Sequence, residues 1–216
     1  MRYRRLGSTE WMVSEVGLNL RALEGLDEVV AGGTLGAAFA AGVTVIRVDA
    51  REHAGSVEPL MGRVTATERP RLVVVSHFER LAEASLFEAQ LRAAGARIGK
   101  EGYLDVALFS QVPDAGQRTV LDALIASRIV RAWGIETGDA SVATQAFEAG
   151  ARVLFAPSAA SEPLLACATA AGAGILVGGE TTGIGMALAD VRVASAVAEA
   201  TGAADVGSLV SAATRG

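Results

Sequence analysis

From residue 43 onward, short runs of Val, Ile and Leu alternate with Ala-rich stretches of helical length. That alternation marks repeated βα units around a parallel sheet, whose strands are covered on both faces and so read as unbroken apolar runs. The runs predict strands near 43–49, 71–77, 103–110, 129–136, 151–156 and 174–178. Helices are predicted near 28–41, 57–66, 80–97, 115–127, 139–149, 160–172 and 189–201. Before this series, YRRLGSTEWMVSEVGLNL places two short extended runs around a Gly-Ser-Thr turn, a hairpin leading into an apolar strand near 15–19. After it, DVGSLVSAATRG predicts an eighth strand near 206–212, so that a final helix is expected to be missing. Connections are short and no Ser/Pro-rich linker interrupts them, which gives one domain over 1–216. Periodicity alone does not separate a closed barrel from an open doubly wound sheet.

Composition narrows the function classes. The chain is 51% hydrophobic and only 20% charged, as suits buried strands under small-residue helices, and its formal net charge is -5. With no run of Lys and Arg, nucleic acid is not an expected partner. No apolar stretch has the length of a membrane span and the start MRYRRLG lacks a signal-peptide core, so no membrane partner and a cytoplasmic location are expected. The single cysteine, Cys167, lies in an Ala-rich helical segment and reads as a small packed side chain.

Six phrases carry a resemblance. MRYRRLGSTEWMVSEVGLN and GVTVIRVDAREHAGSVEPLMGR stand at the start, with LVVVSHF, GYLDVALFSQVPD, VRAWGIET and GILVGGE following in order. In order and spacing they resemble the aldo-keto reductases: an opening hairpin, a first and second strand, then strands three, four, five and seven. The resemblance implies a (β/α)8 TIM barrel, shortened here, with the site at the carboxyl ends of the strands. It also implies redox chemistry by Asp, Tyr, Lys and His. Matched phrase to phrase, these fall on Asp49, Ala54, His77 and Ser110. A gapless alignment from Gly42 instead puts the Asp on Arg47 and the Tyr on Glu52; the two readings differ by two residues, so Arg47 and Asp49 share a strand face either way. The chain has one lysine, Lys100, and two tyrosines, Tyr3 and Tyr103, all expected away from the mouth. The family's nicotinamide contacts correspond to Glu136, Thr137 and Gly178, and its basic phosphate-binding segment is expected beyond the last residue, so no cofactor is expected.

Charge remains at the predicted strand ends. His77 follows Val73 and Val75 on one strand face and is the candidate general acid or base, oriented by Asp49 or by Glu136 across the mouth. Arg47, Glu52, His53, Ser110 and Glu180 are candidate substrate contacts. No HxH or HExxH spacing supports a metal site. The leading expectation is a cofactor-independent enzyme on an aldo-keto reductase scaffold. It would perform acid–base chemistry, as a lyase, isomerase or cyclase, on an apolar organic metabolite. The alternative is a catalytically silent binding or regulatory subunit in which the charges are a remnant polar network. A homodimer is expected if the missing helix leaves an apolar strip between strands eight and one.

Overall fold

A computed structural model describes residues 1–50, 57, 60–62, 67–99 and 102–214. A two-stranded antiparallel hairpin, β1 (Tyr3–Arg5) and β2 (Met12–Ser14), precedes eight parallel strands. These are β3 (Val16–Asn19), β4 (Val45–Asp49), β5 (Val73–Phe78), β6 (Leu104–Phe109), β7 (Val130–Glu136), β8 (Val153–Ala156), β9 (Gly174–Gly178) and β10 (Val193–Glu199). They close in the order β10-β3-β4-β5-β6-β7-β8-β9. The fold is a (β/α)8 barrel with an N-terminal hairpin, as the resemblance implies, and not the open doubly wound sheet that periodicity alone also allows.

Among the described residues the outer helices are α1 (Glu28–Ala40), α2 (Ala84–Ile98), α3 (Ala115–Ala126), α4 (Ala140–Glu148), α5 (Glu162–Ala170), α6 (Ile184–Ala189) and α7 (Ala203–Thr214). Only a helical turn at 60–62 represents the helix expected at 57–66. Side-chain caps fix several starts. Asp27 accepts from the Val29 N–H, Asp139 from the Ser141 N–H, and Asp114 and Gln117 form a reciprocal capping box.

Two expectations are corrected at the end of the chain. Residues 193–199 are the eighth barrel strand and not helix, and residues 203–214 are a helix and not strand. The run VASAVAE is rich in alanine, a strong helix former, yet β3 and β9 flank it and supply a ladder on both sides. The final helix is therefore present: α7 buries Val206, Leu209 and Ala213 and packs beside α1. The strip that motivated a homodimer is covered, and that argument loses its premise.

Two apolar layers result from strand alternation. Val45, Val73, Val75, Val106, Leu108, Val153, Phe155, Leu176 and Val197 point inward, while Phe78, Phe109, Trp133 and Ile135 point outward under helical Phe87, Leu91, Leu121 and Leu124. Phe109 lies 5.7 Å from Phe78, 5.7 Å from Phe87 and 6.0 Å from Trp133, ring centre to ring centre. The hairpin plugs the amino end with Leu6 and Val13. Its Gly7 has φ +55°, and a Cβ there would meet the Gly174 nitrogen at 2.2 Å, so only glycine allows the plug this close.

Candidate functional site

Strand register decides which side chains meet at the carboxyl mouth. Asn19 pairs with Arg47 and Asp49 with His77 on adjacent parallel strands, and each lies on the inward parity of its strand. Glu136 ends β7, across the barrel from β4, and Ser110 follows the last residue of β6.

His77 is the centre of the group. Its Nδ1 lies 3.0 Å from Asp49 Oδ1, and its Nε2 lies 2.8 Å from Ser110 Oγ and 2.9 Å from Glu136 Oε2. Arg47 Nη2 donates to Glu136 Oε2 at 2.9 Å, and Nη1 lies 3.5 Å from Asp49 Oδ1 and 3.4 Å from Asn19 Oδ1. The Arg47 guanidinium also lies over the Phe155 ring, 5.0 Å from its centre. Asn19 Nδ2 donates in turn to Glu199 Oε1 at 3.3 Å. Two charge pairs thus share one largely buried network, which offsets the cost of removing each charge from water.

Burial disfavours the charged form of His77, but hydrogen bonds to Asp49 and Glu136, with the Glu136 charge, outweigh burial and the nearby Arg47. The imidazole pKa is raised above its ordinary value. Burial would raise the Glu136 pKa, but the His77 hydrogen bond and charge, together with Arg47, hold it below the usual carboxylate range. The two shifts agree in sense: each favours the ion-paired state, with a protonated imidazole against the Glu136 carboxylate.

Asp49, His77 and Glu136 therefore meet as the sequence suggests, joined by Arg47 and Ser110. Glu180 does not. It precedes a short 3-10 turn (Thr181–Gly183), is exposed, and lines the rim of the adjacent cavity. Glu52, His53 and Ala54 lie outside the described residues. Asn19, Phe155 and Glu199 belong to the site but were not singled out by sequence. For Phe155 a usable signal existed, because period-two alternation from Val153 puts it at the inward end of its strand.

A cavity of about 960 Å³ opens beside Arg47 and Glu136, between the ends of β8, β9 and β10. Its walls include Phe155, Leu165, Val177 and Ile184. Of the network, Arg47, Glu136, Asn19 and Glu199 border it. The two carboxylates on His77 occupy opposite ring nitrogens, so their donors do not converge on a point. Among the described residues no group of three His, Cys, Asp or Glu side chains is placed to hold a metal ion. No described helix is long and apolar enough to cross a membrane.

Both tyrosines lie away from the mouth. Tyr3 donates its hydroxyl to the Gly42 carbonyl, and Tyr103, before β6 at the amino end, stacks under Arg69. Lys100 is outside the described residues.

The chain is similar to solved structures. An aldo-keto reductase of Bacillus halodurans in its holo form superposes with a TM-score of 0.86 at 14% identity, over 98% of this chain and 90% of that one. The fold is the aldo-keto reductase barrel. An aldo-keto reductase of Klebsiella pneumoniae in complex with NADPH matches with a TM-score of 0.78 at 17% identity, over 99% of this chain and 89% of that one. A Pseudomonas aeruginosa protein assigned provisionally to the aldo-keto reductases matches with 0.83 at 18%, over 99% and 94%. No family model and no curated protein matches by sequence. On this aldo-keto reductase barrel, Asp49, His77 and Ser110 lie at the carboxyl ends of three consecutive strands, the last just past its strand, at the positions the phrase-by-phrase resemblance matches to the redox Asp, Lys and His. Of Arg47 and Asp49, it is Asp49 that contacts His77, Oδ1 to Nδ1 at 3.0 Å.

Proposed function

We propose that the barrel mouth carries out general acid–base chemistry on a small, largely apolar organic molecule, with His77 as the proton-transfer group. The observation that carries this reading is the Asp49–His77–Glu136 chain, with contacts of 3.0 and 2.9 Å, whose Glu136 end borders the cavity. Asp49 holds Nδ1 and fixes the ring, while Nε2 is free to pass a proton toward Glu136 or Ser110. Lyase, isomerase or cyclase chemistry is the reaction class that needs such a group and no hydride.

A nicotinamide dinucleotide, such as the NADPH held by the Klebsiella protein, does not fit the residues present. Gly178 stands where an aromatic would stack, and a Cβ there already meets the Phe155 ring at 3.0 Å. The cavity is lined by Glu136, Glu180, Asp190 and Glu199 against Arg21 and Arg47, and Arg47 is tied to Glu136 and Asp49. Residues 200–214 contain no Lys or Arg, and Asp205 in the first turn of α7 accepts from the Thr201 N–H and hydroxyl. A polyanionic cofactor would face net negative charge. We assign no step to it.

A second reading is supported by the same contacts. Arg47, Asp49, His77 and Glu136 satisfy one another, as a structural ion network in a catalytically silent binding subunit would. One experiment separates the two. Mass spectrometry of the small molecule that copurifies supplies the substrate class, and His77→Gln is then assayed for turnover and thermal melting. Lost turnover with an unchanged melt supports catalysis; intact turnover overturns it.

A further inference from the structure

The geometry around His77 holds a second arrangement that proton transfer alone does not use. Asp49 Oδ1 is 3.0 Å from Nδ1, and Ser110 Oγ is 2.8 Å from Nε2. This is the order of a nucleophilic triad: a buried carboxylate fixes the imidazole tautomer, and the far ring nitrogen faces a hydroxyl. Burial is graded in the same direction. The Asp49 and His77 side chains are 3% and 11% exposed, whereas Ser110 is open to solvent. Triads are recognised by geometry and roles and not by sequence position, and here the three members lie at or just past the carboxyl ends of three consecutive strands, β4, β5 and β6.

We propose that Asp49, His77 and Ser110 form a nucleophilic triad whose Ser110 Oγ attacks the carbonyl carbon of a small carboxylic ester. The proposal rests on His77 being the proton-transfer group of the mouth. As the Oγ–C bond forms, the hydroxyl proton passes to Nε2. The tetrahedral intermediate collapses, the ester C–O bond breaks, and the alcohol leaves with that proton. Water then gives a proton to Nε2, attacks the acyl-serine and releases the carboxylic acid, while the proton returns to Ser110 Oγ.

Glu136 opposes this chemistry. Its Oε2 lies 2.9 Å from the same Nε2, and it favours the protonated ring, which cannot accept the serine proton. Among the described residues, the groups facing His77 are Asp49 and Arg47 from β4, Ser110 after β6 and Glu136 from β7. Ester cleavage should therefore rise with pH as His77 loses its proton, and Glu136→Gln should move that rise to lower pH.

The test uses a fluorophosphonate probe and a chromogenic acetate ester on the full chain. The expected result is one adduct, mapped to Ser110, and ester cleavage that falls at least ~100-fold in both Ser110→Ala and His77→Gln. Ser110 is exposed, so its alanine variant should melt as the parent does. No adduct, an adduct elsewhere, or full ester cleavage by Ser110→Ala overturns the triad. If Ser110→Ala also turns over the copurified molecule normally while His77→Gln does not, acid–base catalysis stands and the triad falls. If His77→Gln retains turnover, the acid–base reading falls.

Discussion

The two ends of the barrel both hold arginines against carboxylates, yet they are built for different ends. At the amino end Asp105 is fully buried and accepts from Arg69, from Arg131 at 3.0 Å and from the Val74 N–H at 3.0 Å. Beside it, Arg2 and Arg4 grip Glu15, and Arg4 also donates to the carbonyls of Leu188, Asp190 and Val193. Each of these acceptors is a backbone carbonyl or an arginine-paired carboxylate. At the carboxyl end the corresponding charges surround an imidazole whose pKa they raise, and a cavity opens beside Arg47 and Glu136. Ion pairs alone do not mark a site; a titratable member next to open space does.

The comparison can be broken most severely at the amino end. Asp105→Ala leaves Arg69 buried without its carboxylate and should cost about 3–5 kcal/mol, read as a large drop in denaturant midpoint. Gly174→Ala should follow, because a Cβ there would sit 2.5 Å from Leu6 Cγ and 2.9 Å from its backbone carbon. Overpacking of the plug should cost about 1–3 kcal/mol. His77→Ala, at the other end, should cost only about 1 kcal/mol, since Arg47 still pairs with Glu136 and approaches Asp49, while turnover falls by ~10²–10⁴. A loss of stability as large as that for Asp105→Ala would make the two ends alike.

Protonation gives a smaller and more specific contrast. The His77 pKa is raised by folding, so its stabilising contribution is complete below the unfolded value near ~6.5 and disappears as pH rises through the folded value. Melting temperature should decline across that window, and the decline should vanish in His77→Gln. A pH series on both proteins checks it. The smallest expected effect is from NADPH. At about a thousandfold excess over a micromolar dissociation constant a bound ligand would stabilise by ~4 kcal/mol, and the expected shift in melting is none.

Much of this was readable before any coordinates. Valine-rich runs such as Val73–Val75 announce buried strands, and parity along a strand then places Arg47 and Asp49 on one face and His77 with Val73 and Val75. What parity cannot supply is which strand lies opposite which, so the Arg47–Glu136 contact needed barrel closure. Glu199 was lost for another reason: in VASAVAE, buried small residues rich in alanine mimic a helix. Asn19 ends a four-residue strand too short to show its periodicity, and its role appears only when Arg47 and Glu199 reach it.

The junction between β3 and β10 sets the order in which the molecule can form. The first barrel strand finds its second neighbour only in residues 193–199, and Arg2 reaches the Ala213 carbonyl across 211 positions of sequence. Contacts of such span carry a large loop-closure cost and form late. During synthesis on the ribosome, the edge of β3 must therefore wait, unpaired, for nearly the whole chain to emerge. An apolar edge left open that long is a natural point for chaperone capture or for pairing between nascent chains.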